Sequence, residues 1–160
     1  MSVAVLSSKR SKDPATQVGA CIVTEDKRIV GIGYNGFPSM EHTSNDSQLP
    51  WAKNSPNALE TKYLYVCHAE LNAILNKNQS DIRGSSLYTT LFPCNECAKL
   101  IIQSGISRVV YLSDAKAQLP TMKASRKMLQ LAGLCIEEFH ADLNQMVSLT
   151  IDCDNVQQCD

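Results

Sequence analysis

Two short motifs in this sequence bring metal-binding side chains together with a carboxylate. The first is His68-Ala69-Glu70 and the second is Pro93-Cys94-Asn95-Glu96-Cys97. Two thiolates and one imidazole form a ligand set that suits Zn²⁺, and three protein ligands leave the fourth tetrahedral position open, which is typical of a catalytic site. The spacing therefore predicts one zinc ion per chain, bound by His68, Cys94 and Cys97.

Both motifs are predicted to lie where a helix begins. Cys94 and Cys97 are three residues apart, so their thiols face the same side of a helix, and the positive end of the helix dipole favours thiolates. His68 and Glu70 are two residues apart and diverge on a regular helix, so the ion is expected to lie over the helix end, where first-turn side chains converge. Glu70 is then expected to carry protons between water and the substrate.

Other interpretations of these residues remain open at this point. A lone Cys-x-x-Cys pair is also typical of thioredoxin-like redox proteins, and a structural zinc site would need a fourth protein ligand. The other histidines, His42 and His140, lack ligand spacing to the cysteine pair and are predicted to lie on the surface. Glu96 and Asp114 are predicted to be solvated or to cap helices.

Composition favours one globular domain, 1–160, that acts on a small molecule. The chain has 160 residues, of which 44% are hydrophobic, and a net charge of −1 from 15 basic and 16 acidic residues. No basic patch for nucleic acid is apparent in the sequence. Its apolar runs are far shorter than the ~20 residues that span a bilayer. We therefore expect a cytoplasmic protein that binds neither nucleic acid nor membranes.

The cysteine content argues against a disulfide framework. Seven cysteines are an odd number, and no secretory signal is recognisable. Three of them, Cys21, Cys67 and Cys135, lie in apolar or half-buried runs and are predicted to be inert packing residues.

The order of the elements predicts an α/β fold. Alternation and turn residues predict an antiparallel hairpin from 17–24 and 28–33, with later strands at 87–92, 108–112, 134–139 and 146–152. Apolar spacing predicts helices at 68–78 and 121–132, the second ended by Gly133, and another that starts at Pro93 and stops before Gly105. Strands that alternate with helices imply a largely parallel sheet with an antiparallel start. The polar stretch 37–61 is a candidate lid.

Five motifs occur in order along most of the chain: Ser11-Lys12-Asp13-Pro14, Gln17-Val18-Gly19-Ala20, Gly33-Tyr34-Asn35-Gly36-Phe37-Pro38, His68-Ala69-Glu70-Leu71-Asn72-Ala73-Ile74, and the run from Thr90 to Ile102. The pattern H-x-E followed by P-C-x-x-C is typical of zinc deaminases. With these motifs the chain resembles the deoxycytidylate deaminases of the cytidine deaminase superfamily.

This resemblance implies a three-layer α/β/α sandwich with a mixed sheet of five or six strands. It also implies deamination of deoxycytidine monophosphate (dCMP) to dUMP and ammonia, with dUMP passing to thymidylate synthesis, a catalytic zinc ion, and Glu70 as the proton carrier. Asn35 matches the residue that contacts sugar and base, and Ala69 is expected beside it. Gly19 and Ala20 lack bulk and are expected to let the backbone approach the base, and Lys12 is expected at the 5′-phosphate.

The family resemblance also implies regulation. Related enzymes are typically homo-oligomers, often hexamers, that dCTP activates and dTTP inhibits. The matching effector residues are Gly33, Tyr34, Asn35 and Gly36, and Mg²⁺ would accompany the triphosphate. Two relatives are alternatives: small cytidine deaminases use a cysteine where His68 stands, and tRNA adenosine deaminases usually have a basic surface and lack the Gly33–Pro38 stretch.

Overall fold

The computed structural model describes residues 1–39 and 49–140, and this part of the chain folds into a sheet with helices on both faces. The strands are β1 (Gly19–Val23), β2 (Ile29–Tyr34), β3 (Ser86–Thr89), β4 (Arg108–Tyr111) and β5 (Cys135–Glu138). The α-helices are α1 (Ser2–Ser8), α2 (Ala69–Leu75), α3 (Asn95–Gln103) and α4 (Pro120–Leu131), and short 3₁₀ turns occupy Ala58–Glu60 and Lys62–Leu64.

The five strands form one mixed sheet in the order β2-β1-β3-β4-β5. Strand β1 pairs antiparallel with both β2 and β3, whereas β3, β4 and β5 run parallel. The predicted hairpin is confirmed, and Lys27 in its turn has a φ of 67°. The predicted mixed α/β sheet is also confirmed, with the parallel part limited to three strands.

Two glycines show that helices cover opposite faces of the sheet. A Cβ on Gly19 would lie 2.0 Å from the carbonyl oxygen of Ala4 in α1, and a Cβ on Gly33 would lie 2.2 Å from that of Ala69 in α2. Gly33 pairs with Ala20, the neighbour of Gly19, and adjacent residues of a strand face opposite sides. Helix α1 therefore forms one layer and α2 lies in the other.

The main core lies between the sheet and helices α2, α3 and α4. Its fully buried side chains come from both sides of this interface and include Ile22, Leu87, Val109, Ile101 and Leu129. Because the N-termini of α2 and α3 are anchored to this core, the side chains at those two helix ends have fixed positions.

Several predicted boundaries are wrong in detail. Pro93 does not start a helix, because Cys94 is extended (ψ 174°) and acts as the N-cap of α3. Helix α2 ends at Leu75, three residues early, and that side chain is 67% exposed. Gly105 and Gly133, both at a φ of 76°, follow the ends of α3 and α4 as predicted.

The interior position predicted for Cys135 is also wrong. This residue is exposed because β5 is the edge strand of the sheet, whereas Cys21 is buried as predicted. The predicted strand at 146–152 and His42 lie outside the described residues. Within 1–39 and 49–140, no helix has the length and apolar character needed to cross a membrane.

Candidate metal centre

Three side chains converge at the adjacent N-termini of α2 and α3. The Nδ1 atom of His68 lies 3.3 Å from the Sγ of Cys94 and 3.4 Å from the Sγ of Cys97. All three ligand atoms lie within 4.8 Å of one another, and no fourth His, Cys, Asp or Glu of the described chain joins the group. A tetrahedral zinc ion with Zn–S bonds of about 2.3 Å and Zn–N bonds of about 2.0 Å spaces its ligands about 3.5–3.8 Å apart. The donor set and its spacing therefore fit a three-ligand zinc site.

The chain around His68 is anchored on both sides. His68 is the N-cap of α2, and the preceding residue, Cys67, exchanges two backbone hydrogen bonds with Gly36, of 2.8 and 3.1 Å. In the first turns of α2 the side chain of Asn72 donates to the Tyr34 carbonyl at 2.8 Å. These contacts connect the imidazole to the end of strand β2.

The Cys94 loop is held by helix α4 and by the segment after β4. The buried Ser125 hydroxyl donates to the Pro93 carbonyl at 2.7 Å, and the Phe92 amide donates to the Ser113 carbonyl at 2.8 Å. The guanidinium of Arg126 lies 4.3 Å from the centre of the Phe92 ring. It also forms an ion pair with Asp114. Asp114 was predicted to be solvated or to cap a helix, and in the structure it pairs with Arg126 instead.

The pKa values of the two thiols are shifted in opposite directions. The hydrogen bond from Cys97, together with His68, lowers the pKa of Cys94 to about 3. That same hydrogen bond, with burial and the nearby Glu70, raises the pKa of Cys97. A divalent cation bound between the two sulfurs would favour the thiolate form of both. Neither cysteine is in a disulfide.

Glu70 is buried beside this group. Its Oε2 lies 3.4 Å from the Cys97 Sγ, and its Oε1 accepts a hydrogen bond from the Thr89 hydroxyl at 3.3 Å. Burial raises the pKa of Glu70, although the nearby His68 acts in the opposite direction. A carboxyl group with a raised pKa accepts a proton more readily than an ordinary glutamate does and can return it to a bound ligand.

The ligand group opens into a cavity of about 180 Å³. Five of the site residues proposed from the sequence line it: His68, Ala69, Glu70, Cys94 and Asn35. The remaining lining residues are Asp13, Thr16, Val18, Lys53, Lys62, Tyr63, Val66, Leu91, Phe92, Lys116 and Met122. A single concave site therefore contains the metal ligands, a carboxylate, an amide and apolar walls, which suits a small planar ligand.

Other predicted substrate residues lie outside this lining. Gly19 abuts α1 and Ala20 lies in the core, while Lys12 is exposed and is not among the residues that line the cavity. Among the predicted effector residues, Gly33 packs on α2, whereas a Cβ added at Gly36 would meet open space. The centre of the Tyr34 ring lies 5.2 Å from the Arg10 guanidinium carbon.

Sequence reasoning missed the cations of the cavity. Lys53 lies in the 37–61 stretch that is the candidate lid, and Lys62 directly follows that stretch. Lys116 lies in the loop before α4. None of them has a motif or a periodicity that marks it. Glu96 and His140 are exposed as predicted, and Glu96 pairs with Lys99 at 2.6 Å.

Comparison with known proteins agrees with this geometry. Residues 1–113 match the family described as the cytidine and deoxycytidylate deaminase zinc-binding region. The chain is 51% identical over 156 residues to the deoxycytidylate deaminase of Homo sapiens, covering 98% of this chain and 84% of that protein. It is 52% identical to a probable deoxycytidylate deaminase of Drosophila melanogaster, covering 100% of this chain and 78% of that protein.

A solved structure of similar architecture contains nucleotides. The dCMP deaminase of cyanophage S-TIM5 in complex with dCMP and dUMP superposes with a TM-score of 0.67 at 30% identity, and the match covers 86% of this chain and 92% of that one.

Proposed function

This chain belongs to the family of cytidine and deoxycytidylate deaminases, and from that premise we propose that it hydrolyses dCMP to dUMP and ammonia with one zinc ion. The observation that carries the proposal is the buried Glu70 beside His68, Cys94 and Cys97 at one cavity. A structural zinc site or a redox pair gives no role to a carboxylate in that position.

The residues of the cavity have separable roles in this reaction. Zinc, when bound, supplies a Lewis acid that makes water nucleophilic near neutral pH. A carboxylate oxygen of Glu70 accepts one proton from the water as its oxygen bonds to C4 of the pyrimidine, and it delivers that proton to the adjacent ring nitrogen. It then accepts the second proton from the same oxygen and delivers it to the amine, which leaves as ammonia as the C4–N bond breaks. Leu91 and Phe92, with Ala69, offer apolar contacts to the pyrimidine, and Asn35 hydrogen-bonds the nucleoside.

Charge in the cavity favours a mononucleotide. Lys62 is neutralised by Asp13, whereas Lys53 and Lys116 line the cavity, are exposed, and form no ion pair within the described part of the chain. A phosphate dianion bound near these two lysines would replace some of their hydration with charge-assisted hydrogen bonds. The near-neutral net charge of −1 argues against a polynucleotide substrate, such as tRNA, because such binding relies on many cationic contacts.

The resemblance to deoxycytidylate deaminases extends the proposal to regulation. We infer that the enzyme supplies dUMP for thymidylate synthesis in the cytoplasm, as one deaminase domain over 1–160 that assembles into a homo-oligomer such as a hexamer. Activation by dCTP and inhibition by dTTP, bound with Mg²⁺, would act through Gly33, Tyr34, Asn35 and Gly36. Open space at Gly36 supports this, whereas Gly33 already has a packing role.

A competition assay tests the substrate assignment. Purified zinc-loaded protein is given dCMP, deoxycytidine, dCTP and CMP together, and each product is quantified by chromatography while ammonia release is followed. We expect dUMP to be the main product. Preferential turnover of deoxycytidine, or deamination of tRNA but of no mononucleotide, would replace dCMP with another substrate.

A further inference from the structure

Outside the metal centre, the cavity is lined by an ion pair that is almost completely buried. The Nζ of Lys62 contacts the Oδ2 of Asp13, and the two side chains are only 7% and 2% exposed. Neither residue takes part in the chemistry described above. Removing charges from water costs several kcal/mol per ion unless other contacts compensate, so the surroundings of the pair reveal what it stabilises.

Every oxygen of the Asp13 carboxylate has partners. Oδ1 accepts from the backbone amides of Ala15 at 2.8 Å and Thr16 at 3.0 Å. Oδ2 accepts from Lys62 and from the Nδ2 of Asn35, the latter at 3.3 Å. Burial raises the pKa of Asp13, but the bonds from Lys62, Ala15 and Thr16 outweigh this effect, and the net pKa is lowered. The group therefore stays ionised and keeps accepting at neutral pH.

Asn35 is held in one of its two amide orientations. Its Oδ1 accepts from the Val18 amide at 2.7 Å, and its Nδ2 donates both to the Thr16 carbonyl at 3.0 Å and to Asp13. Rotating the amide by half a turn would exchange its donor and acceptor ends and would break all three bonds. Asp13 thus helps to determine which atom of Asn35 a ligand meets.

Lys62 connects this polar cluster to another wall of the cavity. Its amide donates to the Ala52 carbonyl at 3.0 Å, and its carbonyl accepts from the Val66 amide at 3.0 Å. Tyr63 and Val66 of the same segment line the cavity. The ion pair therefore joins the turn at Asp13 to the chain that leads into His68.

We propose that Asp13 and Lys62 are positioning residues for substrate binding, which fix the Asn35 amide and the 62–66 segment around the nucleotide. This inference rests on the proposed function and assigns to the pair an effect on substrate affinity. No hydrogen bond of the described residues joins either side chain to Glu70 or to the metal ligands, so the chemical step itself should depend little on the pair.

Asp13→Asn is the sharpest variant. The new amide keeps an oxygen for Ala15 and Thr16 but presents an NH₂ group where Lys62 and Asn35 both donate, so the bonds from Lys62 and Asn35 are lost. The Lys62 ammonium is then buried without its partner, and the double variant below removes that charge as well. We expect KM for dCMP to rise about tenfold or more while kcat stays within about threefold, because the loss concerns positioning before the transition state. Zinc content should be unchanged.

Two further variants separate positioning from folding. Lys62→Met leaves the Asp13 charge buried without a partner and is expected to destabilise the fold, whereas Asp13→Asn combined with Lys62→Met removes both charges. The double variant should recover stability and keep the raised KM. Glu137→Gln is the matched control, since it makes the same chemical change in the ion pair with Arg108, which lies outside the cavity lining.

Calorimetry of dCMP binding to these variants in a Glu70→Gln background reports affinity without turnover. A higher Kd for Asp13→Asn, with the Kd of the Glu137→Gln control unchanged, supports the inference. That support would hold even if the parent protein released no ammonia, because this second result would overturn the proposed function alone. Parental KM and Kd for Asp13→Asn, or an equal change in the control, would overturn the positioning role.

Discussion

The surroundings of the Glu70 side chain disfavour its charged form, because the group is buried. It is 4% exposed, and its partners are a thiol and a hydroxyl rather than a cation. At the residue scale this environment distinguishes Glu70 from Glu96, which lies within the second motif yet is exposed and paired with Lys99. Two glutamates near one metal group therefore have different expected roles.

Glu70→Gln should abolish most turnover while the zinc site persists. The amide is nearly isosteric but cannot accept the proton from water, so kcat should fall about 10²- to 10⁴-fold, the usual contribution of acid–base catalysis. Steady-state kinetics and metal analysis check this, with Glu96→Gln as the control that keeps parental kcat. Near-parental turnover by Glu70→Gln would exclude Glu70 as the proton carrier.

The sequence was sufficient to predict the metal ligands but not the whole cavity. His68, Cys94 and Cys97 could be predicted because residue type and short spacing define a ligand set locally. The Asp13–Lys62 pair could not, because its members are 49 positions apart and each resembles an ordinary polar residue of a loop. Only the folded chain brings them together.

At the scale of elements, the site depends on how closely α2 approaches strand β2. A Cβ at Gly33 would lie 2.2 Å from the Ala69 carbonyl oxygen and 2.3 Å from the Ala73 amide nitrogen, whereas no atom lies within 4 Å at Gly36. The motif 33–36 was interpreted as an effector site, yet its first glycine also sets the position of the helix that begins after His68.

Gly33→Ala should therefore move α2 and weaken the enzyme. Overlap with backbone atoms cannot be relieved by a side-chain rotation, so we expect a loss of about 2 kcal/mol or more in unfolding free energy, with a lower kcat/KM. Urea denaturation and dCMP kinetics measure both. Gly36→Ala is the control and should change stability by no more than about 0.5 kcal/mol. Equal stability of the two variants would show that the close packing is unimportant.

Helix ends were the least predictable feature of these elements. Pro93 suggested a helix start, but the extended Cys94 caps α3, and its position depends on the Ser125 hydroxyl from a helix about 30 residues later along the chain. Tertiary contacts of this kind override local helix signals. The glycines that end α3 and α4 were predictable because a positive φ is a local requirement.

At the scale of the whole molecule, the edge strand β2 is where we expect the proposed regulation to act. Ile29 and Ile32 of the edge strand β2 are 44% and 43% exposed, and β2 ends in the stretch that resembles the effector site. We therefore expect effector binding and catalysis to be coupled through the end of β2, which leads into Asn35 at the cavity.

Without effector, velocity against dCMP should be sigmoidal, and with dCTP it should become hyperbolic with a lower half-saturating concentration. Thermodynamic coupling is reciprocal, so dCMP should tighten dCTP binding by the same factor, and dTTP should act in the opposite sense. Kinetics and calorimetry on protein shown by light scattering to be a homo-oligomer measure this. Identical hyperbolic curves with and without dCTP would contradict the regulatory proposal and leave the deaminase proposal intact.

Zinc removal and restoration test the central claim most directly. The protein is stripped with a chelator, assayed for ammonia release from dCMP, and assayed again after one equivalent of Zn²⁺ per chain is added. The account predicts that activity disappears with the metal and returns in proportion to the zinc bound at His68, Cys94 and Cys97, and that Cys97→Ala neither binds zinc tightly nor recovers activity. Full dCMP turnover by zinc-free protein, or zinc-loaded protein that releases no ammonia from dCMP, would contradict it.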